Sequence, residues 1–208
     1  MSVKPLIVFG CGGHGRVVVD AARAMGRLPF LVVDDNPASD CIEQVRVVRN
    51  ASLDWATLPG FDFVIAIGNN AIRAAKCSEL EGRNGSPVTI QHPQTTIAES
   101  ASIEAGSVVF AGVVVNPGAR IGRNAILNTS CSIDHDCVLG EQVHVCPGVR
   151  LAGGVKVNEG VMLGTGAVVI PGITIGAWSV VGAGSVVVRD VPERSVVFGN
   201  PARIIRRL

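Results

Sequence analysis

The amino-acid sequence predicts an α/β N-terminal domain built on a βαβ unit, followed by an all-β domain of short parallel strands wound into a coil. Three observations carry that prediction. Aliphatic side chains recur every six residues through the second half of the chain, and the first 95 residues read as strand, glycine turn, helix and strand. The third is composition: 34 valines and 25 glycines in 208 residues, against eight aromatics and no tyrosine. Such a valine excess favours extended structure.

A hydrophobic fraction of 48% with 17% charged residues is too apolar for a disordered chain. The formal charge of +1 leaves no electrostatic footprint for nucleic acid, and so few rings offer no base-stacking surface. No nucleic-acid partner is expected. Gly160 to Val188 carries no charged residue and is long enough to cross a bilayer. Its seven glycines, Pro171 and a non-helical period make it buried β-structure, so no membrane span is expected. Met1-Ser2-Val3-Lys4-Pro5 lacks the apolar core and cleavage site of a signal peptide. The six cysteines form no CxxC pair and no metal-ligand spacing, which fits free thiols in a reducing cytoplasm and predicts no metal.

Residues 1–95 form the first domain. Leu6-Ile7-Val8-Phe9 is a buried-strand run, followed by Gly10-Cys11-Gly12-Gly13-His14-Gly15-Arg16. Val17 to Met25 suits a helix that stops at Gly26, a good C-cap. Phe30 to Val33 is a second strand closing on Asp34-Asp35. Phe61 to Ile67 is a third, closing on Gly68-Asn69-Asn70 before a helix from Ala71. This order implies a parallel sheet. Gly10, Gly12 and Gly15 satisfy GxGxxG with acids about twenty residues on, a dinucleotide fingerprint when taken alone. Its physics is more general, because N–H groups at a helix start cradle any pyrophosphate and a strand-end carboxylate binds any ribose or base edge. Fewer than one hundred residues leave space for only a half-Rossmann-like domain, which suits a sugar nucleotide better. Arg16, just inside the helix, adds a charge-assisted phosphate contact. A nicotinamide-dinucleotide-binding protein is the competing reading from a different class.

Residues 96–208 form the second domain. Stepping by six from Ile97 to Val187 lands on an aliphatic residue sixteen times out of sixteen. Four residues after each comes something small or β-branched, such as Ala101, Val113, Cys131 or Cys137, often preceded by glycine. Neither a helix nor simple strand alternation has this period. A short strand plus a tight corner does. Each hexad makes one face, three hexads close a triangular coil of eighteen residues, and the aliphatic residues stack inward at a spacing of ~4.8 Å. Glycine supplies the corner conformations that most side chains forbid. Cys131 and Cys137 then belong to the core.

These hexads, with the closing Gly199-Asn200-Pro201-Ala202, resemble the left-handed β-helix of hexapeptide acyltransferases. The resemblance implies left-handed coils and homotrimers whose active sites lie in the grooves between neighbouring prisms. Gly12-Gly13-His14-Gly15-Arg16, Asp34-Asp35 and Ile65-Ala66-Ile67-Gly68-Asn69-Asn70, joined directly to the hexads, narrow it. Over essentially its whole length the chain resembles the PglD/NeuD-like sugar acetyltransferases. That likeness implies an acetyl-CoA co-substrate and a nucleotide-linked 4-amino-4,6-dideoxy sugar, UDP before GDP. It makes Gly12, Gly13, His14, Asp34, Asp35 and Gly68 the nucleotide-sugar contacts. It makes His144, Gly153, Thr165 and Ala183 the donor contacts.

The chemistry converges on His135. It is the third residue of its hexad, beside the inward position, and is flanked by Asp134 and Asp136 in an otherwise weakly charged repeat. Acetyl transfer to an amine needs a base, and a histidine whose ring is oriented by a carboxylate suits this near neutral pH. The family's matching histidine is the proton acceptor, with a following acid that tunes it. Asp136 is the favoured partner, with Asp134 open. Gly153 lies eighteen residues on, so the period stacks it one coil away, with a backbone N–H beside the reacting centre for the oxyanion. His92 reads as an exposed or capping residue. Arg203, Arg206 and Arg207 suit either the phosphates of coenzyme A or a solubilising tail. A zinc site of the carbonic-anhydrase-like kind needs three histidines, and the repeat holds only His135 and His144. The same scaffold also serves a NeuD-like sialic acid O-acetyltransferase, which acts on oxygen.

Overall fold

The computed structural model describes residues 4–58 and 60–208. The leaderless start expected at Met1–Val3 lies outside the described residues. In chain order, the first domain contains β1 (Leu6–Phe9), α1 (Gly13–Ala24), β2 (Leu31–Asp34), β3 (Cys41–Ile42), β4 (Val45–Arg49), β5 (Phe61–Ile65), α2 (Asn70–Glu81) and β6 (Gly85–Pro87). The sheet runs β3-β4-β2-β1-β5-β6, parallel except for β3 against β4. Strand alternation sends Leu6 and Val8 towards α1 residues Val18, Val19 and Ala22. Ile7 and Phe9 pack on the opposite side with Cys77 and Leu80 of α2. The first helix starts at Gly13, four residues before the expected Val17, so the glycine loop itself supplies the first helical turn. It ends at Ala24, with Met25 as its C-cap and Gly26 at φ 82.

Two glycines of the GxGxxG turn are required by packing. A Cβ at Gly10 would lie 2.6 Å from the Ala66 carbonyl oxygen, and one at Gly15 would lie 2.2 Å from that of Gly10. Gly12 and Gly13 are different, because a Cβ there would meet nothing within 4 Å. Their bareness faces outwards.

The second domain is a left-handed parallel β-helix with three faces of eight, six and five strands. The coil pairings are eighteen residues apart, as in Val108 with Ile126 on the first face, Ser132 with Arg150 on the second and Arg120 with Val138 on the third, until the last coil, where Val180 pairs with Val196 and Ile175 with Val191. The aliphatic and small positions of the repeat fill one continuous core from Val109 to Val197, which includes Cys131 and Cys137. Pairing begins with Ile90–Gln91, where Gln91 occupies the place that later coils fill with an aliphatic residue. At the far end Ser195–Gly199 joins the first face, and Ala202–Arg207 folds back antiparallel over it. The charge-free stretch from Gly160 to Val188 supplies five of these strands. Among the described residues, no helix is long and apolar enough to cross a membrane.

The first face carries the first domain. Its outward positions Ile90, Val108 and Ile126 are apolar and buried together with α1, whereas the outward Ser102, Arg120 and Lys156 of the third face are exposed. The coil core predicts its own mutational cost. Leu127, fully buried, should lose about 2–5 kcal/mol of stability on truncation to alanine. Urea denaturation checks this, and a loss under about 1 kcal/mol would contradict a close-packed prism interior.

Candidate active site

Corner residues stand along the edges of the prism, each stacked on the residue eighteen positions away. On the edge between the second and third faces, His135 Nδ1 lies 2.9 Å from Asp136 Oδ2. Asp134 does not take the ring. Its Oδ1 accepts the His135 backbone N–H at 2.8 Å and Asn116 Nδ2–H at 2.9 Å, so it braces the turn. The dyad sits between two glycines. A Cβ at Gly118 would come within 2.7 Å of Asp136 Oδ1, and one at Gly153 within 2.5 Å of His135 Nε2. The Gly153 N–H has no hydrogen-bond partner among the described residues. The His135 side chain is 62% exposed. Its pKa is raised above the ordinary 6.5, first by the hydrogen bond to Asp136 and then by the charge of Asp134.

The other two chain histidines singled out by sequence meet in the seam between domains. His144 opens the strand His144–Val145 on the first face and its Nδ1 donates to the Gly68 carbonyl at 3.1 Å. His14 comes from the first turn of α1, with its ring centroid 6.2 Å from that of His144 and 5.4 Å, edge to face, from Phe110. Both Nε2 atoms are buried without a hydrogen-bond partner. Burial, and then the nearby Arg73 charge, lowers each imidazole pKa to about 4. His92 caps a turn, its Nδ1 accepting the Gln94 N–H at 3.1 Å.

At the mouth of the sheet, the N-terminus of α1 has no side-chain cap and no acid in its first turn, so its N–H groups stay open beside the bare Gly12 and Gly13. Asp34 braces this loop, with Oδ2 accepting the Cys11 N–H at 2.9 Å and Oδ1 that of Asn36 at 2.8 Å. Asp35 pairs with Lys76 at 3.0 Å and accepts from Asn50 at 2.8 Å. Arg16 lies 3.8 Å from Glu43 on the surface. Thr165 and Ala183 stack on another edge, between the first and second faces, where Gly148, Gly166 and Gly184 all face open space. Within one protomer that edge is separate from the His135 edge. Arg203 borders a cavity of about 280 Å³ at the end of the prism, with Arg189 and Asp190.

Sequence reasoning missed the buried polar group in the seam, Asn70, Arg73, Asn124 and Gln142. A signal for part of it existed. Asn124 and Gln142 occupy left-handed corner positions, at φ 54 and 60, that most coils give to glycine.

Comparison with known proteins agrees with this architecture. The PglD N-terminal domain family matches residues 5–80. PerB from Caulobacter crescentus, solved with CoA and GDP-perosamine, is 39% identical, covers 99% of each chain and superposes with a TM-score of 0.92. The acetyltransferase domain of PglB from Neisseria gonorrhoeae, solved with acetyl coenzyme A, is 34% identical over 98% of this chain and 100% of that one, with a TM-score of 0.88. A UDP-N-acetylbacillosamine N-acetyltransferase from Bacillus subtilis is 36% identical over 121 residues, and the match spans 52% of this chain and 52% of that relative, about half of each. The chain belongs to the PglD-like sugar N-acetyltransferases.

The seam histidines make the protein acid-labile. Their pKa values are depressed on folding, so the stability they contribute is complete above 6.5 and is lost as pH falls towards about 4. Each contributes about 3 kcal/mol over that window. Urea midpoints should fall steeply between these limits, and His144→Gln should flatten the slope. A flat profile in the parent protein would contradict buried, neutral rings.

Proposed function

We propose that this protein is an acetyl-CoA-dependent N-acetyltransferase acting on the C4 amino group of a nucleotide-linked 4-amino-4,6-dideoxy sugar. The observation that carries it is the His135–Asp136 pair at 2.9 Å, stacked over an unencumbered Gly153 amide on a PglD-like scaffold. The uncapped start of α1 and the bare Gly12 and Gly13 fit a pyrophosphate, with Gly68 closing the same mouth. The open glycine edge at Thr165 and Ala183 fits a long, thin thioester donor. UDP is the proposed nucleotide, in keeping with the name of the Bacillus relative, and GDP is its competitor, in keeping with the ligand of PerB.

In this reading Asp136 keeps the proton on His135 Nδ1, leaving Nε2 as the base. Nε2 takes a proton from the sugar amine as its nitrogen bonds to the thioester carbon, and returns it to the departing sulfur. The Gly153 N–H donates to the oxygen that gains charge, a contact typically worth about 3 kcal/mol. Transfer is direct, with no acyl-enzyme. Cys131, Cys137 and Cys146 are buried, and burial raises each thiol pKa, which disfavours a thiolate. The His135 edge and the Thr165 edge of one prism are apart, which supports a homotrimer in which neighbouring prisms bring them together. A cytoplasmic setting suits both co-substrates.

An acetyl-CoA consumption assay against UDP- and GDP-linked amino sugars tests the assignment. His135→Ala should lower kcat by roughly a hundredfold to ten-thousandfold, and undiminished turnover would sink the mechanism. Activity on free sialic acid alone would favour O-acetylation. The acid limb of kcat/KM should lie above 6.5 and move down in Asp136→Asn, because the hydrogen bond that raises the His135 pKa is weakened. Gly153→Ala should fold normally yet lose activity, since its Cβ would displace the His135 ring.

A further inference from the structure

One buried cation organises the seam between the domains. Arg73, in α2, is 1% exposed and has no carboxylate partner among the described residues. Burying an uncompensated guanidinium is costly unless every donor finds an acceptor. Here the acceptors come from both domains. Nε donates to the Asn124 carbonyl at 2.9 Å and Nη2 to that of Gln142 at 2.6 Å, both on corners of the prism. Nη1 is shared among Asn70 Oδ1 at 2.9 Å, the Ile67 carbonyl at 3.2 Å and the Gly68 carbonyl at 3.5 Å. The Asn124 and Gln142 side chains hydrogen-bond each other at 2.6 Å, which holds the two corners in place.

The Gly68 carbonyl is therefore a common point. It accepts from Arg73 and also from His144 Nδ1. A carbonyl accepts only, so His144 carries its proton on Nδ1 and presents Nε2 as a bare acceptor.

We propose that Arg73 is a positioning residue for the active site: it locks the Ile67–Gly68 loop onto the prism so that the Gly68 carbonyl fixes His144 as the Nδ1–H tautomer, with Nε2 ready to accept a substrate N–H or O–H. The proposal rests on the reading above that Gly68, His14 and His144 handle the two substrates. The charged and titratable groups facing His144 are Arg73 from α2 and His14 from α1, and its neighbours on the prism face are the uncharged Ile126 and Met162. Burial first, and then the Arg73 charge, keeps both rings neutral. An apolar residue in place of Arg73 would leave the Ile67, Asn124 and Gln142 carbonyls unpaired, the Gly68 carbonyl held by His144 alone, and the loop free to shift. Lysine keeps the charge but not the planar fork that reaches both domains.

The test is side-chain ¹⁵N NMR of the full-length protein, with His144 assigned through His144→Gln, alongside steady-state kinetics of Arg73→Lys and Arg73→Met. In the parent protein His144 should be the neutral Nδ1–H tautomer at pH 5.5, which lies between its lowered pKa of about 4 and the ordinary 6.5. Both variants should lose that single tautomer, and Arg73→Met should also titrate at higher pH. KM for the nucleotide sugar or acetyl-CoA should rise roughly tenfold to a hundredfold, more than kcat falls. An imidazolium at His144 in the folded parent protein at pH 5.5 would overturn the proposal. So would folded variants that melt earlier but keep the parent KM values and His144 signals, because that is the behaviour of a simple brace. If the parent protein turns over no amino sugar, the assigned function falls while the tautomer signal still decides the role of Arg73.

Discussion

Eighteen-residue stacking is the constraint on which the rest of this molecule depends. A coil that closes after three hexads places residue i directly against residue i+18, at the strand spacing of ~4.8 Å. Aliphatic residues kept at one phase of the period fill the interior. The same rule builds every special feature of the edges. Asn116 reaches Asp134, Gly118 makes room for Asp136, Gly153 lies against His135, and Asn124 pairs with Gln142. Each of these pairs is eighteen residues apart. These side chains are thus held by backbone stacking of the scaffold rather than by a mobile loop, the rigid presentation that the proposed proton transfer and oxyanion binding require.

The corners show where the scaffold departs from its own rule, and at what cost. Corner residues take positive φ, and glycine is the usual occupant because it lacks the Cβ that crowds the following carbonyl. Asp136 holds φ 60, and Asn124 and Gln142 hold similar values. A non-glycine residue there costs about 1–2 kcal/mol. Such strain persists where surrounding contacts over-determine it. At Asp136 the contact is the His135 ring, and at Asn124 and Gln142 it is the carboxamide pair beneath Arg73. Ser130 and Trp178 also hold corners at positive φ, so a lost glycine does not by itself mark a site; the contacts at Asp136 and at the Asn124–Gln142 pair do.

How much of this was legible follows from range. The period, the inward core and the stacking of Gly153 on His135 are all arithmetic on one repeat, so the sequence alone displays them. The strand–glycine–helix unit is local as well, although α1 starts at Gly13 because the glycine loop already winds into the helix. Contacts between domains share no period. Arg73 meets Asn124 and Gln142 across 51 and 69 residues, and His144 meets Gly68 across 76. No spacing rule connects such positions. A weaker sign was present in the outward residues Ile90, Val108 and Ile126, three successive apolar positions on one face that mark the surface the first domain covers. Asp34 was hidden for another reason. A carboxylate at a strand end suits a ligand, but here one oxygen holds the backbone of the glycine loop that would cradle one, and the other accepts the Asn36 N–H of its own turn.

The three histidines of the proposed site occupy opposite electrostatic settings, and that contrast divides their roles. His135 is exposed beside two carboxylates that raise its pKa, which suits the proton exchange proposed for it. Burial first, and then the nearby guanidinium, lowers those of His14 and His144 to about 4, so they stay neutral near neutral pH. A buried neutral imidazole is a poor base but a well-fixed hydrogen-bond acceptor, since one nitrogen is committed to its proton and the other has nowhere to turn. Exchanging these environments would disable both functions: a buried base would resist the charge it must carry, and an exposed acceptor would be solvated before the substrate arrived. In the proposed function, a base on a prism edge and acceptors in the domain seam avoid that conflict. The first domain packs on the face that bears His144 through the apolar Ile90, Val108 and Ile126, and leaves the edge that bears His135 open.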